Sequence, residues 1–486
     1  MTFVSDLQPA AVWGYFDQIL TIPRGSKKEA KARQFVISVA ERLGLEHEVD
    51  DTGNVLVRKA ATGGGPSASP TILQSHLDMV QEKNSDVEFD FDNEAIRPVL
   101  EGEYLTADGT TLGSDNGIGV ATMLAIMEAE DLVHGPLEFL FTIDEETGLT
   151  GAGGLGEELL EGRRLINLDS EEERVLTIGC AGGADSHIHL AVERAGVPEG
   201  TAAISIRVSG LKGGHSGVDV HLQRGNAIKL LARALYAAAL AEPVRIASFG
   251  GGNAHNAIPR ESSCVLLFPE GDDFRTEVVS ALESEFEACG AELRAVDPGL
   301  SFEIADAPVP ADGLTEMATR KLLSLVTALP HGVMAMSNDI DGLVETSTNL
   351  AVVREEGGRA FVLMSNRSSV MSALGALRQR IRSFSDLAGA DLEEKDGYPA
   401  WQPDVSSPLL QVLKKVHERI AGKAEIGAVH AGLECGIVGE KYPGMDMISF
   451  GPQIDFPHSP DERVKVPSVG EFYEVLTATL EELAGS

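Results

Sequence analysis

Three short apolar segments in the first part of the chain each lead directly into a histidine or an acidic residue. The segments have the length and composition of buried strands: Thr71–Ser75, Leu137–Asp144 and Arg163–Leu168. The residues that follow them are His76, the pair Glu145 and Glu146, and Asp169. If these strands are parallel and joined by helices, their carboxyl ends lie at one edge of the sheet, where open α/β folds bind ligands. The pattern therefore predicts an α/β fold with a polar site at that edge.

Five residues with metal-binding side chains stand in short, turn-like contexts along the chain. They are His76, Asp115, Glu146, Asp169 and His458. Two imidazoles and three carboxylates suit two borderline divalent cations, such as zinc, that share one bridging carboxylate. The set therefore predicts a hydrolase that binds two metal ions.

Asp115 lies between Gly113 and Gly117, ahead of a helix that is predicted to span residues 116–128. An aspartate in this position can cap the helix, because its side chain accepts hydrogen bonds from unpaired backbone N–H groups. A carboxylate that bridges two metal ions needs the same glycine-rich approach. The sequence is consistent with both roles, and we favour the bridge.

Two acidic residues beside the proposed ligands are candidates for tasks other than metal binding. Asp78 is two residues after His76, so on an extended segment its carboxylate can accept the second N–H of the imidazole. Glu145 is adjacent to Glu146, and like charges this close raise one of the two pKa values. We therefore assign Glu146 to metal binding and Glu145 to general base catalysis on a metal-activated water.

A further histidine, His215, stands in the sequence Gly-Gly-His-Ser-Gly, far from the other candidates along the chain. That separation makes it a poor metal ligand, but a domain that folds over the site would let it donate to a developing oxyanion. The surrounding Gly-His-Ser-Gly-Val does not match the G-x-S-x-G pattern of a serine nucleophile. We therefore predict a donor role for His215.

Charge and composition argue against several functions. The 486 residues include 39 Lys and Arg against 75 Asp and Glu, and the net charge of −36 repels nucleic acid and anionic membrane surfaces. The four cysteines have no Cys-x-x-Cys spacing, and no apolar stretch approaches the ~18 residues of a membrane span. The start of the sequence has no signal-peptide pattern. We therefore expect a cytoplasmic protein with reduced thiols.

The order of the predicted elements divides the chain into three parts. Strands and helices alternate over residues 1–182, long strands surround a few helices over residues 183–397, and the α/β pattern resumes over residues 398–486. His458 lies in the last part, whereas its proposed partners precede residue 170. The first and last parts are therefore predicted to form one discontinuous catalytic domain, with a mostly parallel sheet flanked by helices. The middle part is predicted to be an inserted α+β domain.

One helix boundary is predicted from a local signal. Ser26 and Glu29 match the S-x-x-E capping box, in which each side chain accepts the backbone N–H of the other residue. The helix that follows is predicted to span Lys27–Leu43 and to end at Gly44.

The motifs around these residues resemble those of the M20 family of co-catalytic zinc metallopeptidases and deacylases, over nearly the whole chain. In order, the motifs are Ser-His-Leu-Asp, Gly-Ser-Asp-Asn-Gly-Ile-Gly, Asp-Glu-Glu-Thr-Gly, Asn-Leu-Asp-Ser-Glu-Glu and His-Ser-Gly. Three further segments are similar to the aminoacyl-histidine dipeptidase branch, which comprises the Xaa-His and cytosol non-specific dipeptidases. These segments are Gly109–Gly113, His430–Gly436 and Phe456–Pro460.

The resemblance implies a catalytic α/β domain with a lid domain, and two zinc ions per chain for which manganese or cobalt could substitute. His76 and Asp169 would hold one zinc ion. Glu146 and His458 would hold the second, and Asp115 would bridge the two.

The resemblance also implies roles in catalysis. Asp78 would orient His76, and Glu145 would act as the general base and then as the general acid. His215 would reach the scissile carbonyl when the lid closes, and in dimeric relatives it often does so from a neighbouring subunit. A homodimer is therefore compatible with the sequence.

Four residues are candidates for contacts with a dipeptide: Asn256, Asn349, Arg367 and Glu434. Asn256 in Asn-Ala-Ile-Pro, Asn349 and Arg367 resemble substrate contacts of the lid. Arg367 has an independent basis, because a dipeptide ends in a carboxylate that a guanidinium binds through two hydrogen bonds. Glu434 could hold the free ammonium group of the substrate.

These expectations lead to a dipeptidase that hydrolyses dipeptides with a free amino terminus, including Xaa-His substrates of the carnosine type. Two alternatives stay open from the sequence. An N-acyl amino acid deacylase on the same scaffold would use the same chemistry at the carbonyl and differ only in its pocket for the acyl side. A metal-binding protein without turnover would be marked by loss of the general base, and Glu145 is present.

Overall fold

The computed structural model describes residues 3–63 and 68–485, and strands and helices alternate over much of this chain. The strands are β1 (Glu46–Val49), β2 (Val55–Lys59), β3 (Thr71–His76), β4 (Pro98–Glu101), β5 (Tyr104–Ala107), β6 (Leu137–Thr142), β7 (Arg164–Asn167), β8 (Val175–Cys180), β9 (Gly182–Ala191), β10 (Arg194–Gly196), β11 (Thr201–Ser209), β12 (Arg245–Gly251), β13 (Ser262–Pro269), β14 (Ser301–Asp306), β15 (Asp312–Leu314), β16 (Gly332–Met336), β17 (Val344–Glu356), β18 (Arg359–Ser368), β19 (Asp391–Glu394), β20 (Glu425–Val429), β21 (Asp446–Ser449), β22 (Ile454–Asp455) and β23 (Arg463–Lys465). The helices are α1 (Ala10–Ile19), α2 (Ala30–Leu43), α3 (Ser114–Glu128), α4 (Thr150–Gly154), α5 (Ala227–Ala241), α6 (Asp272–Leu293), α7 (Glu316–Ala328), α8 (Met371–Ala388), α9 (Pro408–Ile420), α10 (Glu434–Lys441) and α11 (Val466–Ala484). Short 3-10 helices are formed by Phe3–Asp6 and Val220–Leu222.

These elements belong to two compact units. Within the described residues, the first unit comprises the chain up to Cys180, Trp401–Ala428 and the segment from Leu433 onwards. The second unit comprises Ala181–Ala400 together with the four-residue segment Val429–Gly432. The first unit is therefore discontinuous in sequence, with most of the second unit inserted between its parts.

An eight-stranded sheet forms the centre of the first unit, in the order β1-β2-β6-β3-β7-β21-β8-β20. β3 is parallel to both β6 and β7, and β7 is parallel to β21. β3 and β6 are buried along their whole length, as expected for central strands that are covered on both faces. α3 packs against β3, and α9 packs against β21. The predicted mostly parallel α/β sheet is confirmed, and the carboxyl ends of β3, β6 and β7 lie at one edge.

A smaller sheet of four strands, in the order β22-β23-β5-β4, joins a late segment of the first unit to an early one. β23 is antiparallel to β5, and Thr106 Oγ1 donates to the carbonyl of Glu462 at 2.7 Å. The chain between β22 and β23 contains His458. This pairing therefore fixes the segment of His458 relative to a strand that precedes it by about 350 residues.

The second unit contains a nine-stranded antiparallel sheet, in agreement with the predicted α+β organisation. Its order is β14-β11-β13-β12-β17-β18-β9-β19, with β16 paired to β17. Helices α5 to α8 pack against its strands, and Val362 and Met364 of β18 belong to the resulting core. Because side chains alternate along a strand, Ser365 and Arg367 of β18 lie on the opposite face.

The capping box predicted from Ser26 and Glu29 is wrong. α2 begins three residues later than predicted, and Glu29 precedes it without a capping hydrogen bond from its side chain. Ser26 Oγ instead donates to Asp78 Oδ2 at 2.8 Å, and the Glu29 carboxylate accepts the backbone N–H of Asp144 at 3.1 Å. Both side chains thus form hydrogen bonds with partners at the carboxyl edge of the sheet, and these replace the hydrogen bonds of the capping box.

The four cysteines are buried thiols, Cys180, Cys264, Cys289 and Cys435. Burial raises the pKa of the Cys180 thiol to about 11, which keeps it protonated and unreactive at neutral pH. Across residues 3–63 and 68–485, no helix has both the length and the apolar composition that a bilayer span requires.

Candidate metal centre

The five predicted ligands come together at the carboxyl edge of the sheet in the first unit. His76 is the last residue of β3, and Asp115 lies in the first turn of α3. Glu146 follows β6, Asp169 follows β7, and His458 lies between β22 and β23. The structure therefore assembles side chains from five separate segments at the place that the sequence predicts.

Asp115 stands at the centre of the cluster, with one carboxylate oxygen facing each histidine. Its Oδ1 is 3.0 Å from His76 Nε2, and its Oδ2 is 3.1 Å from His458 Nε2. Asp169 Oδ1 is 3.2 Å from His76 Nε2, and Glu146 Oε2 is 2.9 Å from His458 Nε2. The side chains thus form two groups of three that share Asp115. The alternative role of Asp115 as a helix cap is not observed, because among the described residues its carboxylate contacts the two histidines and accepts no backbone N–H of α3.

The two groups fit a pair of divalent cations. With metal–ligand bonds of about 2.0–2.2 Å, neighbouring ligand atoms in tetrahedral coordination are about 3.4 Å apart, close to the separations in both groups. Glu146 Oε1 is buried and has no hydrogen-bond partner among the described residues. An oxygen in that state is unusual unless a ligand completes its coordination. The mixture of imidazole and carboxylate donors suits borderline divalent ions.

The carboxylates of the cluster raise the pKa of both histidines. Burial disfavours the charged form of His76, but Asp169 and Asp115 outweigh burial and hold its pKa well above the usual value. Hydrogen bonds to Asp115 and Glu146 raise the pKa of His458 to about 11. Burial opposes ionisation of Asp115, yet the two histidines keep its pKa well below the usual value. Positive charge is therefore favoured at both positions, and a cation that binds there must displace the protons.

Asp78 connects His76 to the turn that carries the two glutamates. Its Oδ1 is 3.3 Å from His76 Nδ1 and accepts the backbone N–H of Glu145 at 3.0 Å. Its Oδ2 accepts the backbone N–H of Glu146 at 3.2 Å. Burial favours the neutral acid, but these partners, His76 first, lower the pKa of Asp78 to about 2. Asp78 is therefore ionised and holds both segments in place.

Glu145 lies beside the ligands, in an environment that favours a proton on its carboxylate. Its carboxylate, the His76 ring and the Glu146 carboxylate have ligand atoms within 4.8 Å of one another. Burial raises the pKa of Glu145 well above the usual value, and the nearby Asp169 adds to the effect. Burial, followed by the charge of Asp115, also raises the pKa of Glu146. A raised pKa makes a carboxylate a stronger base and so favours a role in proton transfer.

Three residues at the cluster were not identified from the sequence as site residues. Asn116 Nδ2 donates to Asp169 and so orients that carboxylate. Burial raises the pKa of Glu171 to about 9. Glu462, four residues after His458, is 2% exposed and accepts hydrogen bonds from the loop before α3. The only signals in the sequence were that these residues stand inside or next to the ligand motifs.

Glu434 lies deeper than a substrate contact requires. The side chain has no exposed area, and its Oε2 accepts hydrogen bonds from Gln74 Nε2 at 2.5 Å and Thr142 Oγ1 at 2.7 Å. Its Oε1 has no hydrogen-bond partner in the described part of the chain. Burial raises the pKa of Glu434 to about 7. The predicted contact with a substrate ammonium therefore needs a movement that exposes this carboxylate.

In the second unit, the backbone fixes the tautomer of His215. His215 Nδ1 accepts the N–H of Gly217 at 3.2 Å and of Val218 at 3.0 Å, so its ring proton is on Nε2. Burial, followed by the charge of Arg367, lowers the pKa of His215 to about 4. At neutral pH His215 is therefore an uncharged imidazole whose Nε2 carries the proton and can act as a donor.

Arg367 is 7% exposed and carries a charge that no described residue balances. Its Nη1 donates to the hydroxyl of Tyr398 at 2.8 Å, while its Nε is buried without a partner. No ion pair formed by residues 3–63 and 68–485 includes Arg367. A Cβ at Gly217 would lie 3.2 Å from Arg367 Nε and 3.1 Å from His215 Cε1, so the guanidinium and the imidazole converge at this glycine. Burying a guanidinium is costly unless an opposite charge accompanies it.

The two asparagines predicted to bind substrate are on connected segments of the second unit. Asn349 Nδ2 donates to the carbonyls of His255 at 3.3 Å and Ala257 at 2.8 Å, and its Oδ1 has no partner among the described residues. Asn349 thus holds the exposed loop that contains Asn256. The carbonyl of Asn256 accepts the N–H of Ser216 at 2.7 Å, directly after His215 in sequence.

The fold and the cluster together define a class of protein. A mostly parallel α/β sheet carries, at its carboxyl edge, two groups of imidazoles and carboxylates that share one aspartate. A carboxyl group with a raised pKa, Glu145, stands beside them. This combination is that of a metal-dependent hydrolase.

Comparison with known proteins gives the family. The profile of peptidase family M20/M25/M40 matches residues 72–482, and the chain belongs to this family. It is 39% identical to the cytosol non-specific dipeptidase of Escherichia coli (strain K12) over 485 residues, which cover 99% of each protein.

Solved structures agree with this assignment. The aminoacylhistidine dipeptidase from Vibrio alginolyticus is 40% identical, with a TM-score of 0.92 over 99% of this chain and 98% of that protein. Human carnosine dipeptidase 1, 11% identical with a TM-score of 0.51 over 98% of this chain and 96% of its own, shares the fold alone. The resemblance to the aminoacyl-histidine dipeptidase branch, based on motifs, is confirmed.

Proposed function

We propose that this protein is a co-catalytic dipeptidase that hydrolyses dipeptides with a free amino terminus, including Xaa-His substrates. The observation that carries the proposal is the pair of ligand groups that share Asp115, with Glu145 beside them. Identity of 39% and 40% over nearly the full chain to two dipeptidases supports the substrate class. The alternative of an N-acyl amino acid deacylase has no observation in its favour.

Two zinc ions are the proposed cofactors, with manganese or cobalt as substitutes. His76 and Asp169 would hold one ion, Glu146 and His458 the other, and Asp115 would lie between them. When bound, the ions supply Lewis-acid polarisation of the scissile carbonyl and lower the pKa of the attacking water.

Glu145 is proposed to move the proton during hydrolysis. Its carboxylate takes a proton from the water that attacks the carbonyl carbon and gives it to the leaving nitrogen as the C–N bond breaks. Burial, which raises the pKa of Glu145, favours the protonated form that the second step needs. Asp78 supports both steps, because it holds the backbone N–H of Glu145 and lies 3.3 Å from His76 Nδ1.

Residues of the second unit are proposed to bind the substrate. His215 would donate through Nε2 to the oxyanion that forms at the carbonyl, because its other ring nitrogen is already occupied by backbone N–H groups. Arg367 would bind the terminal carboxylate of the dipeptide. Asn349, through its unpaired Oδ1, and Asn256, on the exposed loop, would complete the contacts.

Glu434 is proposed to recognise the free ammonium group through its Oε1, after a movement that exposes it. A Glu434→Gln variant with an unchanged KM for dipeptides would remove this role. We further propose a cytoplasmic location, small peptides as the only substrates, no nucleic acid or membrane partner, and a homodimer as the assembly. The net charge of −36 supports the absence of nucleic-acid and anionic-membrane partners.

The test is hydrolysis by the purified protein of β-alanyl-histidine, alanyl-histidine, alanyl-leucine and acetyl-histidine, before chelation, after chelation, and after zinc is restored. We expect cleavage of the three free-amine dipeptides, sensitive to the chelator, and none of acetyl-histidine. Cleavage of acetyl-histidine in place of the dipeptides would establish a deacylase. Binding of metal without any turnover would establish a protein that is not an enzyme.

A variant assigns the base. Glu145→Gln should abolish turnover of alanyl-histidine while the metal content stays unchanged, because Glu145 is proposed to move protons and not to bind an ion. Glu158→Gln, at an exposed glutamate of the same unit, is the matched control and should retain full activity.

A further inference from the structure

Glu462 is a buried glutamate whose carboxylate accepts several hydrogen bonds from the loop that leads into Asp115. It is 2% exposed and stands four residues after His458. Its oxygens accept the backbone N–H groups of Leu112 at 2.8 Å, Gly113 at 2.9 Å, Ser114 at 2.7 Å and Asp115 at 3.3 Å, and the hydroxyl of Ser114 at 2.6 Å. One carboxylate therefore takes up four consecutive backbone donors.

The carbonyl side of the same loop is held by a buried cation. Arg24 is 3% exposed, and its Nη2 donates to the carbonyl of Gly113. Its Nη1 donates to the carbonyls of Leu77 at 3.1 Å and Asp78 at 2.6 Å, which directly follow His76. The loop before Asp115 is thus bound on one side to the segment of His76 and on the other to the segment of His458.

We infer that Glu462 is a positioning residue that sets the distance between Asp115 and His458, and hence fixes the position of one ligand group relative to the other. This inference rests on the proposed function. Asp115 Oδ2 and His458 Nε2 are 3.1 Å apart, although 343 residues separate them in sequence. Glu462 makes the direct hydrogen bonds between the backbone of the Asp115 loop and the segment of His458.

The hydrogen bonds that Glu462 accepts require both oxygens of a carboxylate. Glutamine has one acceptor oxygen and an NH2 group, so Glu462→Gln would leave half of the N–H groups facing a donor. The volume of the side chain would be almost unchanged. The loop would then shift away from residue 462, and Asp115 would move relative to His458.

A second buried glutamate in the same unit provides a matched control. Glu138 is also 2% exposed, and its carboxylate accepts the backbone N–H groups of Glu161 at 3.1 Å and Gly162 at 2.7 Å. None of these residues belongs to the ligand groups of the described chain. Glu138→Gln therefore replaces a buried carboxylate that accepts backbone N–H groups, at a position outside the metal centre.

The experiment measures zinc content and zinc affinity for the full-length wild type, Glu462→Gln and Glu138→Gln, together with kcat and KM for alanyl-histidine. Thermal unfolding of the zinc-free proteins monitors the fold. Both variants should unfold at lower temperature than the wild type. Only Glu462→Gln should lose zinc affinity, by about 10- to 100-fold, with a similar loss in kcat and little change in KM.

Glu462→Gln with wild-type zinc affinity and kcat, or an equal loss of zinc affinity in Glu138→Gln, would overturn the inference. If Glu462→Gln does not fold, Ser114→Ala serves as a second variant, because it removes only the hydroxyl hydrogen bond to Glu462. Ser114→Ala should show a smaller loss of zinc affinity. Wild-type zinc affinity in Ser114→Ala would then refute the inference. A wild type that binds no zinc or cleaves no dipeptide would instead refute the proposed function.

Discussion

At the scale of single residues, the uncompensated charge of Arg367 is the clearest sign of a ligand in the second unit. Burying an ionised group is costly unless an opposite charge accompanies it, and among the described residues the side chain of Arg367 donates to the uncharged hydroxyl of Tyr398 and forms no ion pair. The proposed occupant is the terminal carboxylate of a dipeptide, which matches the two-pronged geometry of a guanidinium.

Arg367→Met is expected to raise KM for alanyl-leucine by roughly 10- to 150-fold, because a hydrogen bond to a charged group contributes about 1.5–3 kcal/mol. kcat should change much less. The measurement is steady-state kinetics on alanyl-leucine and on its C-terminal amide. The wild type should discriminate strongly against the amide, whereas Arg367→Met should treat both substrates alike.

Arg380→Met, at an exposed arginine of the same unit, is the control and should leave KM unchanged. Undiminished preference of Arg367→Met for the free carboxylate would rule out the proposed contact.

The sequence predicted which side chains would meet, but it did not predict what holds them in place. His76, Asp115, Glu146, Asp169 and His458 could be found because each belongs to a residue type that binds metals and stands in a short, turn-like context. Arg24 and Glu462 could not be found in this way. They act on backbone groups far away in sequence, and a contact of that kind leaves no spacing pattern.

At the scale of elements, the start of α3 shows why its sequence is rich in glycine. Gly113 has a φ of 73°, and a Cβ there would lie 2.5 Å from Arg24 Nη2. A Cβ at Gly117 would lie 2.8 Å from the same nitrogen. The two glycines that flank Asp115 therefore make room for the buried guanidinium that holds the loop.

Gly113→Ala is expected to destabilise the zinc-free protein by more than the roughly 1–2 kcal/mol that a left-handed conformation costs an alanine. The excess arises because the new methyl group must displace Arg24. Urea unfolding gives the free energy, and zinc content shows whether the ligand groups are disturbed.

Gly444→Ala is a matched control, since Gly444 also has a positive φ of 83° but no atom within 4 Å of an added Cβ. It should show only the conformational cost and should retain its zinc. Equal losses of stability in the two variants would contradict the proposed role of Arg24 in requiring Gly113.

The central strands followed from the sequence because their apolar segments are clearly bounded. The predicted strands Thr71–Ser75 and Arg163–Leu168 correspond to β3 (Thr71–His76) and β7 (Arg164–Asn167) to within one residue at each end. The predicted start of α2 was wrong for a reason that apolar periodicity cannot reveal. Ser26 and Glu29 have the right local spacing for a capping box, but tertiary partners offer both side chains better hydrogen bonds.

At the scale of the whole molecule, the chain passes between the two units more often than the sequence suggested. The segment Val429–Gly432 belongs to the second unit, although the residues on both sides belong to the first. It carries His430, whose Nε2 is 2.7 Å from Ser347 Oγ. Four residues are too few to show a periodic pattern, so the sequence could not indicate that this segment belongs to the second unit.

The second unit should lose stability in acid because it contains histidines that stay neutral when folded. Burial, followed by the charge of Lys229, lowers the pKa of His331 to about 4, and burial followed by Arg367 lowers that of His430 to about 3. Unfolded histidine has a pKa of about 6.5, so between these values the unfolded chain binds more protons. The free energy of unfolding should therefore fall as the pH decreases from about 6.5 towards 4.

The measurement is urea unfolding of the wild type and of His331→Asn across this pH range. The Asn side chain can still accept the N–H of Leu350, which His331 Nδ1 accepts at 3.4 Å. The slope of the variant should be smaller by up to about 1.4 kcal/mol per pH unit. Identical slopes would show that His331 does not titrate with unfolding.

The join between the Asp115 loop and the segment of Glu462 has a consequence for biosynthesis. These residues are 347 positions apart, and the second unit lies between them in the chain. A ribosome releases His76, Asp115, Glu146 and Asp169 early, but His458 and Glu462 only after the second unit has been made. A nascent chain therefore carries four of the five cluster residues without His458 throughout most of its synthesis. Because the proposed metal centre includes His458, we expect peptide cleavage only from a chain that has been translated beyond this residue, and no active fragment from interrupted synthesis.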